Sequence, residues 1–215
     1  MKRVLNTTTM LLAVMLSYPA ASLSGQIFSG LGTAVPGEDA VSVGLVFGQM
    51  SPQTTFRDGS RFESSTLIGA TANFWPHRYL GVQLSSLGTE HVGSLASDGS
   101  VSIITQRDPK IWTTIGDAVL RYPLGGDGPI SFFPYAALGG GWKTYRWMFD
   151  PKAGPDARGF DMAWSYAAGA DLRFGAERRF GLRGEFRNIQ TPFERFGESL
   201  THKDRVLTGT LLLNF

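Results

Sequence analysis

The feature that most restricts this chain is an alternation of apolar and polar side chains in segments of roughly ten residues, each closed off by Gly, Pro, Asp and Ser clusters. Successive side chains of a strand point to opposite faces, so a period of two gives each segment one apolar and one polar face. On this pattern strands are expected near Val41–Met50, Ser65–Phe74, Tyr79–Leu87, Ile111–Tyr122, Ile130–Tyr145, Met162–Phe174, Phe180–Ile189 and Arg205–Phe215. The intervening stretches alternate in length. Residues 51–64, 88–110, 146–161 and 190–204 are long, whereas 75–78, 123–129 and 175–179 are short. All short connections therefore fall at one end of an eight-stranded, antiparallel, up-and-down arrangement.

The two faces can be read strand by strand. The last strand sets Leu207, Gly209, Leu211, Leu213 and Phe215 against Val206, Thr208, Thr210, Leu212 and Asn214. Met162, Trp164, Tyr166, Leu172 and Phe174 share a face opposite Ser165, Asp171 and Arg173; Phe180, Leu182 and Phe186 oppose Arg183, Glu185 and Arg187. Pattern alone allows either face to point inward, and a soluble barrel would bury the apolar one. The aromatics decide the direction. Phe74, Tyr122, Phe132, Phe174, Phe180 and Phe215 sit at the short-turn end, while Trp112, Trp142 and Trp164 lie toward the other. Two aromatic rings separated by aliphatic and small residues are the mark of a band facing lipid. The expected fold is an all-β transmembrane barrel with short periplasmic turns and long extracellular loops.

The opposite face then lines the lumen, with Asp117, Arg121, Lys143, Asp171, Arg173, Arg183, Glu185 and Arg187. Five cations against three carboxylates in a bore only wide enough for side chains are expected to form a paired network, because an unpaired buried ion costs several kcal/mol. This filling is structural on its plainest reading. A narrow, arginine-lined path for small solutes is the sharper alternative.

Lys2 and Arg3, the apolar run Met10–Ser17 and the small residues Ala20, Ala21, Ser22 and Ser24 read as a signal peptide over 1–24. Its apolar core is too short to span a bilayer. Removal of the leader leaves 18 basic against 18 acidic side chains, so the sequence pI near 9.0 implies no nucleic-acid partner. Residues 25–40 read as a periplasmic lead-in before a barrel over 41–215, with Ile27–Val35 as a possible extra strand. A ninth strand would put the termini at opposite ends and break the even count usual for such barrels.

The last strand ends in Leu211, Leu213 and Phe215, which resembles the assembly signal of outer-membrane proteins. With the leader and the alternating connections, the chain resembles the small OmpA, OmpX and OmpW type of outer-membrane barrel. That resemblance implies a bacterial outer-membrane location, contact with outer-membrane lipid and lipopolysaccharide, and the barrel assembly machinery and periplasmic chaperones as partners in biogenesis. It implies no specific activity, and what the loops bind stays open. Some barrels of this size modify lipid A, which requires a base beside a nucleophile. His77 falls in a turn, and His91 and His202 are expected on extracellular loops; the latter two are the only weak catalytic candidates. The chain lacks cysteine, its histidines show no metal-ligand spacing, and Gly139–Gly141 has no P-loop context, so no metal or cofactor is expected. A non-enzymatic structural or surface-interaction role is the leading expectation, ahead of a lipid A deacylase, a narrow channel or a secreted lipocalin-like carrier.

Overall fold

A computed structural model describes residues 40–56, 59, 61–89, 94–95, 110–124, 130–146, 158–175, 178–195 and 198–215. The leader, residues 25–39, His91 and most of the 88–110 and 146–161 connections lie outside the described residues. The strands are β1 (Val41–Pro52), β2 (Arg61–Phe62), β3 (Ser65–Phe74), β4 (Leu80–Thr89), β5 (Ser94–Leu95), β6 (Lys110–Arg121), β7 (Ile130–Arg146), β8 (Arg158–Phe174), β9 (Phe180–Arg195) and β10 (Glu198–Asn214). Eight of them close an antiparallel barrel in the order β1-β10-β9-β8-β7-β6-β4-β3, and β2 and β5 pair separately.

Closure follows from alternation that never breaks phase. Leu207, Leu211, Leu213 and Phe215 are exposed on the outer wall, while Val206, Thr208, Thr210, Leu212 and Asn214 are buried inside. A slip of one residue would turn Arg183, Glu185 and Arg187 outward and Leu182 and Phe186 inward, so register is strongly specified. Following the pairing from Met50 through Val206, Arg187, Ala167, Ala137, Val119 and Gly81 returns to β1 ten residues lower, beside Trp75 and Ala40. That stagger corresponds to strands tilted by about 40°. From Phe215, just past β10, back to Arg205, ten residue steps then rise about 25 Å along the axis.

Correcting for the stagger, the aromatics fall into two outer rings. Tyr122, Phe132, Phe174, Phe180 and Phe215 are exposed at the short-turn end, with half-buried Phe74 beside them. Trp112, Trp142 and Trp164 are exposed at the far end. Small residues opposite the tryptophans make this possible: Trp112 pairs with Gly88 and Trp164 with Gly140, and a Cβ on Gly88 would collide with the Trp112 ring.

Two strands run well beyond their expected limits. Of the segment 190–204, expected as a long loop, residues 190–195 and 198–204 are strand: Gln190 pairs with Lys203, Pro192 with Thr201 and Arg195 with Glu198. Its polar residues and Pro192 resemble loop composition, yet the inside–outside phase persists, with Thr191, Phe193, His202 and Asp204 buried. His202 is therefore not on an extracellular loop but on β10, fully enclosed. Pro192 is tolerated because it lies beyond Gln190, the last β9 residue paired with β8, where the ladder on that side has ended.

Candidate functional site, the charged interior of the barrel

The lumen is filled in three tiers. At the Phe215 end, the Arg121 guanidinium lies 3.8 Å from the centroid of the buried Trp75 ring and 5.0 Å from that of Phe133, and its Nε donates to the Arg78 carbonyl at 2.9 Å. The Arg173 guanidinium also lies over Phe133, 4.8 Å from its centroid. Stacked guanidinium planes shed less hydration energy than ammonium groups would, which suits Arg to this aromatic floor.

The middle tier is a continuous polar network. Arg183 grips Asp171 with two donors, Nε to Oδ1 at 2.6 Å and Nη2 to Oδ2 at 2.9 Å. Its Nη1 donates to Asn73 Oδ1 at 2.8 Å and Gln83 Oε1 at 2.7 Å. Gln83 passes the chain on to Glu185 at 3.2 Å, and Tyr135 donates to the same Glu185 oxygen at 2.6 Å. Arg187 then joins Glu185 and Asp117, each at 2.8 Å, while Ser165 bridges Arg187 and Asp117. Two inward glycines make room for it. A Cβ on Gly169 would lie 2.6 Å from the Tyr135 hydroxyl, and one on Gly139 would run into Asp117.

The upper tier is apolar with one charged knot. Val46, Met50, Leu67, Leu87, Ile111, Ile115, Tyr145, Ile189, Phe193 and Val206 pack together inside the bore. Phe56 and Phe62, from the connection after β1, cover them from the mouth, 5.3 Å apart edge to face. The turn between these two needs Gly59, whose φ of 79° a side chain would strain. Within this tier Lys143 Nζ meets Asp204 Oδ2 at 2.5 Å, and His202 Nδ1 lies 3.3 Å from Lys143 and 3.2 Å from Asp204. The His202 ring is boxed by Phe56, Phe62 and Phe193 at 6.3, 5.6 and 6.2 Å.

All eight charged residues expected in the lumen are buried there. Asp117, Asp171, Arg183, Glu185 and Arg187 form one network, Arg121 and Arg173 share the floor, and Lys143 stands apart. Sequence reasoning missed Asp204 and His202, along with the neutral partners Asn73, Gln83 and Tyr135. The surplus of cations over carboxylates was the available signal for a missing acid. A cavity between Val46, Gln83, Leu87, Arg183 and Thr208 measures about 10 Å³, the space of a single water-sized sphere. The interior is thus packed where side chains are described, with ion pairs in its middle and upper tiers.

No family model matches the chain, and no curated protein matches it in sequence. Among solved structures it superimposes on the crystal structure of Neisserial surface protein A with a TM-score of 0.53, covering 82% of this chain and 97% of that one at 10% identity. The chain has the fold of the small outer-membrane barrels. The N-terminal barrel domain of Pseudomonas aeruginosa OprF matches with a TM-score of 0.46 at 12% identity, over 82% of this chain and 98% of that one. At such identities the likeness extends to the barrel and not to any activity.

Proposed function

We propose that this chain is exported on a cleaved 1–24 leader and inserted into a bacterial outer membrane as a non-enzymatic barrel. Its lumen is a structural plug, and its loops carry contact with the exterior. The observation supporting this is the inversion of the barrel: an apolar, aromatic-ringed outer wall around a core of buried ion pairs. A soluble barrel would reverse the two faces, because apolar surface is driven out of water; in a bilayer it is a Lys or Arg on the outer wall that would cost about 2–4 kcal/mol at mid-depth. On this reading the Phe215 end faces the periplasm, and Leu211, Leu213 and Phe215 serve the assembly machinery.

Expression in a Gram-negative host followed by fractionation tests the location. The expected result is an outer-membrane protein whose electrophoretic mobility shifts on boiling; recovery from the soluble periplasm would overturn it in favour of a lipocalin-like carrier. Planar-bilayer recording tests the plug, with no unitary conductance expected from the folded protein. Steady conductance that changes in Arg183→Ala and Arg187→Ala would support the channel reading instead. Lipid A deacylation lost in His91→Ala or His202→Ala would establish the enzymatic alternative; the Lys143 and Asp204 contacts around His202 argue for a packing role.

A further inference from the structure

The outer wall is uneven at the level of the tryptophan ring. Correcting for the stagger, Trp112, Trp142 and Trp164 of β6, β7 and β8 share a height with Arg205 of β10. On the flanking strands the same level is held by Asn188 and Gln190 of β9 and by Gln49 and Ser51 of β1, paired around Arg205 and Lys203. Lys203, two residues further along β10, points outward beside Arg205, and both side chains are exposed. One sector of this level is therefore cationic and amide-rich, whereas β6, β7 and β8 carry tryptophan there.

Neither Lys203 nor Arg205 forms an ion pair among the described residues. Asp204 lies between them in sequence but points inward, committed to Lys143 and His202. The described carboxylate on this side of β9, Glu194, stands beyond Pro192, across from Ser199 and further from the apolar band. Directly below Arg205 the wall turns apolar through Leu207, Leu211 and Leu213, and the paired Gly209 and Gly184 leave open space at its surface. Cations fixed at the boundary between headgroups and hydrocarbon attract lipid phosphates, and an Arg fork matches phosphate oxygens in pairs.

We propose that β10, with its β1 and β9 neighbours, carries an outer-wall docking site for the phosphates of a phosphorylated glycolipid in the outer leaflet. Arg205 and Lys203 hold the phosphates, Asn188 and Gln190 donate to the sugar headgroup, and acyl chains lie in the shallow depression at Gly209 and Gly184. The two cations, about 7 Å apart along the strand, suit a headgroup with more than one phosphate. This inference rests on the membrane location proposed above, since the site has meaning only at a bilayer surface.

The test uses the whole folded protein, delipidated in mild detergent, with native mass spectrometry and thermal shift as readouts. Four probes are titrated: a bis-phosphorylated glycolipid, its dephosphorylated form, phosphatidylglycerol and inorganic phosphate. The bis-phosphorylated glycolipid is expected to bind at least tenfold more tightly than the other three. Lys203→Gln/Arg205→Gln is expected to abolish that preference and Lys110→Gln, on β6 away from the patch, to leave it unchanged; the boiling-dependent mobility shift checks that each variant is folded. Equal binding of the phosphorylated and dephosphorylated lipids, equal binding of phosphatidylglycerol, or an unaffected double variant would each overturn the proposal. A protein that fractionates with the outer membrane yet shows no preference fails this inference alone, whereas one recovered soluble fails the location itself.

Discussion

Removing the Arg183 side chain while keeping its bulk, as Arg183→Met, should cost more stability than any loss of packing at that position. This guanidinium donates four hydrogen bonds, two to Asp171 and one each to Asn73 and Gln83, and all these partners are buried. The substitution leaves the Asp171 carboxylate inside the barrel without its cation, a loss of about 3–5 kcal/mol. Urea unfolding of the protein in lipid vesicles would measure it; with a denaturant slope of about 2 kcal/mol per molar, the midpoint should fall by roughly 2 M. Adding Asp171→Leu removes the stranded charge. The double variant should recover most of the loss, leaving about 1–2 kcal/mol for the two amide oxygens that have lost their donor. A single substitution costing under about 1 kcal/mol, or a double variant whose loss equals the sum of the two singles, would refute the network as drawn.

Gly169→Ala should destabilise by about 1–3 kcal/mol in the same unfolding assay, because its methyl would press on the Tyr135 hydroxyl that bonds Glu185. Phe193→Ala removes a fully buried ring that touches Phe56, Tyr145 and His202; a loss of about 3–5 kcal/mol is expected, with faster amide exchange along the end of β10. Phe215→Ala removes an outer-wall ring that the proposed bilayer covers in part, so vesicle stability should fall by only about 1–2 kcal/mol. The amount of barrel assembled in cells should nonetheless fall several-fold on pulse-chase, if this residue is read during insertion.

The parts of the fold that the sequence exposed and those it hid differ for one physical reason. On the membrane location proposed above, alternation is legible wherever the outer face meets hydrocarbon, because only there must every second residue be apolar: Leu207 to Phe215, Met162 to Phe174 and Phe180 to Phe186 carry it plainly. From the tryptophan ring upward that demand lapses. The outward residues Gln190, Pro192, Lys203 and Arg205 face no apolar medium, and a strand there looks like a loop although its inward residues keep the same phase. The lumen keeps its own account independently of the outer wall. Lys143 on β7 faces inward at a level where the strands expected from the pattern supply no carboxylate, and a lone ammonium in an aromatic compartment is untenable. Extending the inward phase of β10 back from Val206 by one position reaches Asp204, and by two reaches His202. Charge balance inside the bore was thus enough, in principle, to carry β10 past Arg205 and to move His202 from an exposed loop into the core. In a barrel of this kind the inward residues mark where strands end more reliably than the outward ones do.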